Sequence, residues 1–112
     1  MEKILEKENK DPLLKGLKVI DAASFIAGPS AATIMSDYGA EVIKIEPESG
    51  DSLRNLISNG RMPEGPENYC WELTSRNKKS ISLNLKDQEA HKILINLVKE
   101  ADVFITNMPF PV

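Results

Sequence analysis

Two apolar runs, "LKVIDAA" from Leu17 to Ala23 and "AEVIKIE" from Ala40 to Glu46, are separated by a stretch with room for one helix and its turns. No other feature constrains the fold as much. Both runs have the composition of a strand covered on both faces. Between them, Pro29 suits the first turn of a helix, where its fixed φ is helical and its missing N–H is not needed. Ser30, Ala31 and Ala32 follow, Ile34 and Met35 supply an apolar stripe, and Gly39 is placed to end the helix as a left-handed cap. A short helical segment between two such strands implies a parallel, right-handed βαβ crossover, which is half of a doubly wound α/β fold.

The second half repeats the arrangement. "SISLNL", Ser80 to Leu85, alternates at period two and reads as a strand. "DQEAHKILINLVKEA" puts Ala90, Ile93, Leu94, Leu97 and Val98 on one helical face, and "DVFITN", Asp102 to Asn107, is a further strand. The expected order is βαβ, loop, βαβ: a Rossmann-like parallel sheet with helical crossovers. Residues 1–12 are charged and end at Pro12, so they read as a flexible lead-in, with the domain occupying 13–112. The Gly-, Pro-, Ser- and Asn-rich stretch from Pro47 to Pro66 reads as surface, with "DSLRNLI" forming a short helix capped by Asp51.

A chain of 112 residues has the length of one domain, which on folding buries roughly two-thirds of the surface its unfolded form exposes. With 41% hydrophobic and 28% charged residues the composition is that of an ordinary soluble protein. The net charge of −3, with both signs scattered, argues against nucleic acid and anionic lipid as partners. Cys70 is the single cysteine, so no internal disulfide or thiolate cluster can form, in keeping with a reducing compartment. No apolar stretch is long enough to span a bilayer and the amino terminus has no targeting signature, so no membrane is implied and the expected location is cytoplasmic.

In an open parallel sheet ligands bind beyond the carboxyl ends of the strands. Ala27, Gly28 and Pro29 open the first helix there. Its free N–H groups and positive dipole end could meet a phosphate or an amide, or the small residues could simply let the helix pack on the sheet. Without G-x-G-x-x-G the dinucleotide reading is weak. Lysines in "SRNKKS", Ser75 to Ser80, and Lys86 could pair with phosphates, although lysines beside a strand are more often a solvated edge. Glu46, Glu48 and Asp51 could form a metal or acid–base cluster, but the plainer expectation is a solvated loop. His91 has no visible partner, and Cys70 between Tyr69 and Trp71 reads as a buried thiol. No metal site and no catalytic set is assembled from these residues.

The run "AGP" with small residues, then "GAEVIKIE", "GD" and an arginine, then "NKKSISLNL" and "ADVFITN", resembles the amino-terminal segment of the family III CoA-transferases, the CaiB/BaiF family. "FIAGPSAA", "GDSLR" and "SRNKKSISLNLK" are most similar to the branch acting on 2-hydroxyacyl-CoA. The resemblance implies a Rossmann-like domain binding a CoA thioester as substrate, with no prosthetic group. It also implies an acyl-CoA and a carboxylic acid as reactants and an interlocked homodimer.

Carried over by position, CoA contacts fall on Ser24, Ile26 and Ala27, on Leu83 and Lys86, and on Asn107 and Met108. Some relatives have histidine and glutamine at positions 24 and 26 and arginine at 47, and Arg54 could supply that displaced cation. The family's nucleophile, an aspartate that forms an acyl-aspartyl anhydride, falls beyond Val112, so the expectation is a fragment without a catalytic residue of its own. A 2-methylacyl-CoA racemase fragment and a non-catalytic CoA-binding or interaction module are the alternatives.

Overall fold

The computed structural model describes residues 10–109; most of the expected lead-in, residues 1–9, and the last residues, 110–112, lie outside it. Strands β1 (Lys18–Ala22), β2 (Glu41–Glu46), β3 (Lys78–Ser82) and β4 (Val103–Thr106) alternate with helices α1 (Ala27–Asp37), α2 (Tyr69–Ser75) and α3 (Gln88–Glu100). The strands form one four-stranded sheet in the order β3-β2-β1-β4, with every pairing parallel. The chain steps outward from β1 to β2 to β3, then returns through α3 to β4 on the other side of β1. This is the α/β doubly wound arrangement that the paired apolar runs predict.

Alternation along the strands divides the core in two. Ile20, Ala22 and Ile45 pack with Leu83, Ala90 and Leu94 on the α3 side, whereas Val19, Val42 and Ala40 pack with Ala32 of α1. Full burial of a side chain such as Val19 or Ile20 contributes about 1.5–3 kcal/mol, so each face of the sheet is worth several such increments. The helical stripe predicted for α3 holds at Ala90 and Leu94, which are buried, with Leu97 and Val98 packed beside them. Ile93 on the same predicted face is exposed.

Helix α1 ends as its sequence implies. Gly39 has φ +100° and its N–H donates to the Ser36 carbonyl, while Tyr38 N–H donates to Ile34 and Met35. A left-handed residue at this place lets the chain turn straight into β2.

Three local expectations need correction. "DSLRNLI" does not form a helix: the chain makes successive turns from Ser52 to Gly60, because Asp51 is drawn inward and Leu53 is buried beneath the segment. Strand β3 runs from Lys78, not Ser80, and leaves the sheet after Ser82, although Leu83 N–H still donates to the Glu46 carbonyl. Helix α2 was not anticipated; Asn68 caps it, its side chain accepting from Trp71 N–H at 3.4 Å. Among the described residues no helix is long and apolar enough to cross a membrane.

Candidate functional site

The residues that shape the carboxyl end of the sheet begin with two charges in strands covered on both faces. Asp21 of β1 and Lys44 of β2 are direct cross-strand neighbours, and both are at most 1% exposed. A buried charge without a partner is very costly, so each requires the other and more. Lys44 Nζ lies 3.5 Å from Asp21 and 3.4 Å from Asp51, and donates to the Ala23 carbonyl at 2.9 Å. Lys78, whose side chain is only 2% exposed, reaches Asp21 at 2.9 Å and also donates to the carbonyls of Pro29 and Thr74. Burial pushes the Lys78 ammonium below its ordinary pKa, opposed by its hydrogen bond to Asp21 and that residue's charge.

The solvated lysine edge expected of Ser75–Ser80 is therefore corrected at Lys78, whose ammonium finds three acceptors inside the protein. Lys79 does lie at the surface, paired with Glu41. The solvated acidic loop is corrected too: Asp51 and Glu46 are buried, and only Glu48 is exposed.

Glu46 accepts both Nε and a terminal nitrogen of Arg54, at 2.9 and 2.8 Å, together with Ser80 Oγ and Asp51 N–H. Arg54 in turn lies 3.9 Å from the centre of the Trp71 ring, a cation–π contact that fastens the segment after β2 to α2. Arg54 is thus already held by a carboxylate and an aromatic face. Burial raises the Glu46 carboxyl, but the hydrogen bonds from Arg54, Ser80 and Asp51 and the Arg54 charge outweigh it and hold it down at about 2, against an ordinary 4.5.

A depressed carboxylate contributes stability that is present above pH 4.5 and is lost as the pH falls through 4.5 toward 2. Acid titration followed by thermal unfolding should show this loss, and Glu46→Gln should flatten the curve over that window. An unchanged pH slope in Glu46→Gln would contradict the assignment.

Above this charged layer, the first loop is held at three consecutive residues by side chains from different elements. Ala23 N–H donates to Asp21 and its carbonyl accepts from Lys44. Ser24 N–H donates to Asn107 Oδ1 and its carbonyl accepts from Asn107 Nδ2, both at 2.9 Å. Phe25 N–H donates to Asp51 Oδ1 at 3.3 Å. Phe25 has φ +71°, a left-handed conformation costly for a side chain of this size, and those bonds hold it there.

Helix α1 then starts at Ala27 with Ile26 as its N-cap and no side-chain cap, so the first N–H groups of the helix have no capping side chain. The small residues divide by role. Gly28 is needed for packing, since a Cβ there would lie 2.4 Å from Ala23 Cβ, and Ala32 is fully buried, while Ala27 is exposed.

A groove of about 640 Å³ opens beside this loop across the ends of β1, β2 and β3. Of the residues predicted for CoA contact, Ser24, Leu83, Lys86 and Met108 line it, and Pro47 lines it too. Ile26 and Ala27 lie at the start of α1, outside the groove lining. Asn107 also stands outside it, with its side-chain amide committed to Ser24.

Sequence reasoning missed Asp21, Lys44 and Lys78. Its signal was available for the first two, because each is a charge inside a run that the apolar pattern covers on both faces. His91 is exposed near Lys86 and Lys92, and Cys70 is half-buried. Among the described residues no cluster of histidine, cysteine or acidic side chains could hold a metal ion.

Comparison with known proteins gives this geometry a family. The profile of CoA-transferase family III matches residues 14–112. The chain belongs to that family. It is 46% identical over 97 residues to the (R)-2-hydroxy-4-methylpentanoate CoA-transferase of Clostridioides difficile, covering 86% of this chain and 24% of that protein. It is 46% identical over 101 residues to the cinnamoyl-CoA:phenyllactate CoA-transferase of Clostridium sporogenes, covering 89% of this chain and 24% of the relative. A crystal structure of a CaiB/BaiF family protein from Brucella suis superposes with a TM-score of 0.76 at 32% identity, over 88% of this chain and 26% of that one. The family III chain described here thus spans about a quarter of the length of these relatives.

Proposed function

We propose that residues 13–112 are the amino-terminal part of a Rossmann-like CoA-binding domain, within a CoA-transferase that moves CoA between carboxylic acids, 2-hydroxy acids among them. The observation that carries this reading is the groove at the carboxyl end of the sheet, whose walls include Ser24, Leu83, Lys86 and Met108. The names of the two 46% identical relatives, both CoA-transferases, support the class of reaction.

In the complete enzyme an aspartate beyond Val112 attacks the thioester carbon. The C–S bond breaks, CoA leaves as the thiolate and the acyl group stays as an aspartyl anhydride. The thiolate then attacks the aspartyl carbonyl and expels the first acid, and the second carboxylate displaces the thiolate from that aspartyl thioester to give a new anhydride. The thiolate attacks the acyl carbonyl of this anhydride to give the new acyl-CoA and free aspartate. The part played by this chain is binding. Lys86 supplies a cation beside the groove, and the uncapped N–H groups of α1 offer donors to an anionic or amide group. The working enzyme is an interlocked homodimer in the cytoplasm.

The test uses the full-length protein with a 2-hydroxyacyl-CoA donor and a second carboxylic acid, following both thioesters by mass spectrometry. Transfer is expected, with hydroxylamine trapping one aspartate as its hydroxamate during turnover. The 112-residue chain should give no transfer. Exchange of the proton at carbon 2 with solvent deuterium, without movement of CoA, would instead identify a racemase and overturn the proposal.

A further inference from the structure

We infer that Asp51 is a positioning residue for the CoA-binding loop, holding the strained turn at Phe25 through one carboxylate oxygen while the other oxygen balances the charge of Lys44. The inference deepens the proposed function and rests on the reading that Ser24, Ile26 and Ala27 meet the CoA thioester. Asp51 does not itself line the groove, although its N–H donates to Glu46, which does, and it belongs to a segment rich in turn-forming residues.

The division of labour follows from the atoms. Oδ1 accepts from Leu53 N–H at 2.8 Å, which fixes the carboxylate to its own segment, and from Phe25 N–H at 3.3 Å, which reaches across to the loop after β1. Oδ2 faces Lys44 Nζ at 3.4 Å. Phe25 sits between the predicted contact residues Ser24 and Ile26 in a left-handed conformation, and an L-residue with a Cβ leaves that region unless its surroundings hold it.

Ser24 on one side is clamped by Asn107, and on the other side α1 begins without a side-chain cap. Asp51 is therefore the side chain that fixes the turn between clamp and helix. The same residue is anchored below by Lys44, which also donates to the Ala23 carbonyl. A shift of the segment after β2 is thereby transmitted to the contact loop through a single carboxylate.

Substitution can separate the two oxygens. Asp51→Asn keeps an acceptor for Phe25 and Leu53 but sets an amide against the Lys44 ammonium, so it loses the charge and retains the positioning. Asp51→Ala loses both. In the full-length protein both variants should unfold at lower temperature than wild type. Only Asp51→Ala should lose hydrogen-exchange protection at the Phe25 amide, by tenfold or more, and weaken CoA binding in calorimetry by about tenfold. Asp51→Asn should stay within threefold of wild type on both readouts.

Val42→Ala, a core truncation in the α1-side cluster, no member of which lines the groove, serves as a control for lost stability and should leave CoA affinity unchanged. Retained Phe25 protection in folded Asp51→Ala would overturn the inference, as would equal losses in the Asn and Ala variants. So would a Val42→Ala protein that binds CoA as poorly as Asp51→Ala. Should Asp51→Ala fail to fold, Asp51→Asn decides: protection within threefold supports the inference, and loss of protection in a folded protein overturns it. The exchange readout needs no ligand, so absence of CoA binding by the wild-type protein would refute the proposed function separately from the role of Asp51.

Discussion

Lys44→Met is expected to destabilise the full-length protein by about 3–5 kcal/mol, the cost of leaving a buried charge without its partner. The buried layer balances the carboxylates of Asp21 and Asp51 against the ammonium groups of Lys44 and Lys78. Methionine fills much of the same volume, so packing changes little and the loss is electrostatic. Asp21 keeps Lys78, but Asp51 loses its cation and the Ala23 carbonyl loses its donor. Urea titration should show the midpoint fall with little change in slope.

Adding Asp51→Asn to Lys44→Met restores the charge balance, so the double variant should be more stable than the sum of the single losses predicts, by roughly 0.5–3 kcal/mol. A Lys44→Met protein within about 1 kcal/mol of wild type would mean that water reaches the layer and supplies what Lys44 supplies.

The same layer marks where sequence stops specifying the site. Hydrophobic periodicity identifies β1, α1, β2, α3 and β4, because these elements face a core and their patterns report it. The period-two run Ser80–Leu85 places β3 two residues late. Leu83 is apolar for a different reason, packing into the α3-side cluster from the loop after the strand. Helix α2 escapes notice because its seven residues make just under two turns, too few for an amphipathic period to stand out, and its partners, Thr33 of α1 and Arg54, are distant in the chain.

Lysines in "NKKS" read as surface because composition does not record where a long side chain's nitrogen ends. Lys78 reaches the Asp21 carboxylate and the Pro29 carbonyl, partners far away in the chain that only the fold brings near. The groove residues were named from a family resemblance, and geometry then distributes them: four line the wall, and Asn107 is spent on the loop backbone. Asp51 looked like a helix cap from its neighbours alone. Its burial follows from Lys44, whose charge inside a strand could have prompted a search for acidic partners.

Gly28→Ala is expected to cost about 3 kcal/mol, the upper part of the range for overpacking. The new Cβ would stand 2.4 Å from Ala23 Cβ and 3.3 Å from Ile105 Cγ2. Ile105 can adjust by rotation, but a Cβ bonded to the backbone has no rotamer to change. Relief therefore requires α1 or the end of β1 to move. Either motion works against the bonds that Ala23 makes to Asp21 and Lys44.

Ala23→Gly in the same chain removes the opposing methyl and should recover most of the loss, short of the roughly 0.5–1 kcal/mol that glycine costs in backbone freedom. Thermal and urea unfolding of the two single variants and the pair measure this directly. If Gly28→Ala alone is neutral, the approach of helix to strand is looser than the structure has it. If the pair is no better than Gly28→Ala, the strain lies elsewhere than at Ala23. The outcome bears on binding as well as stability, because Ala23 is the first residue of the loop that leads through Ser24 and Phe25 to the uncapped start of α1. Recovery by Ala23→Gly would show that the small residues here serve first to bring the helix onto the sheet.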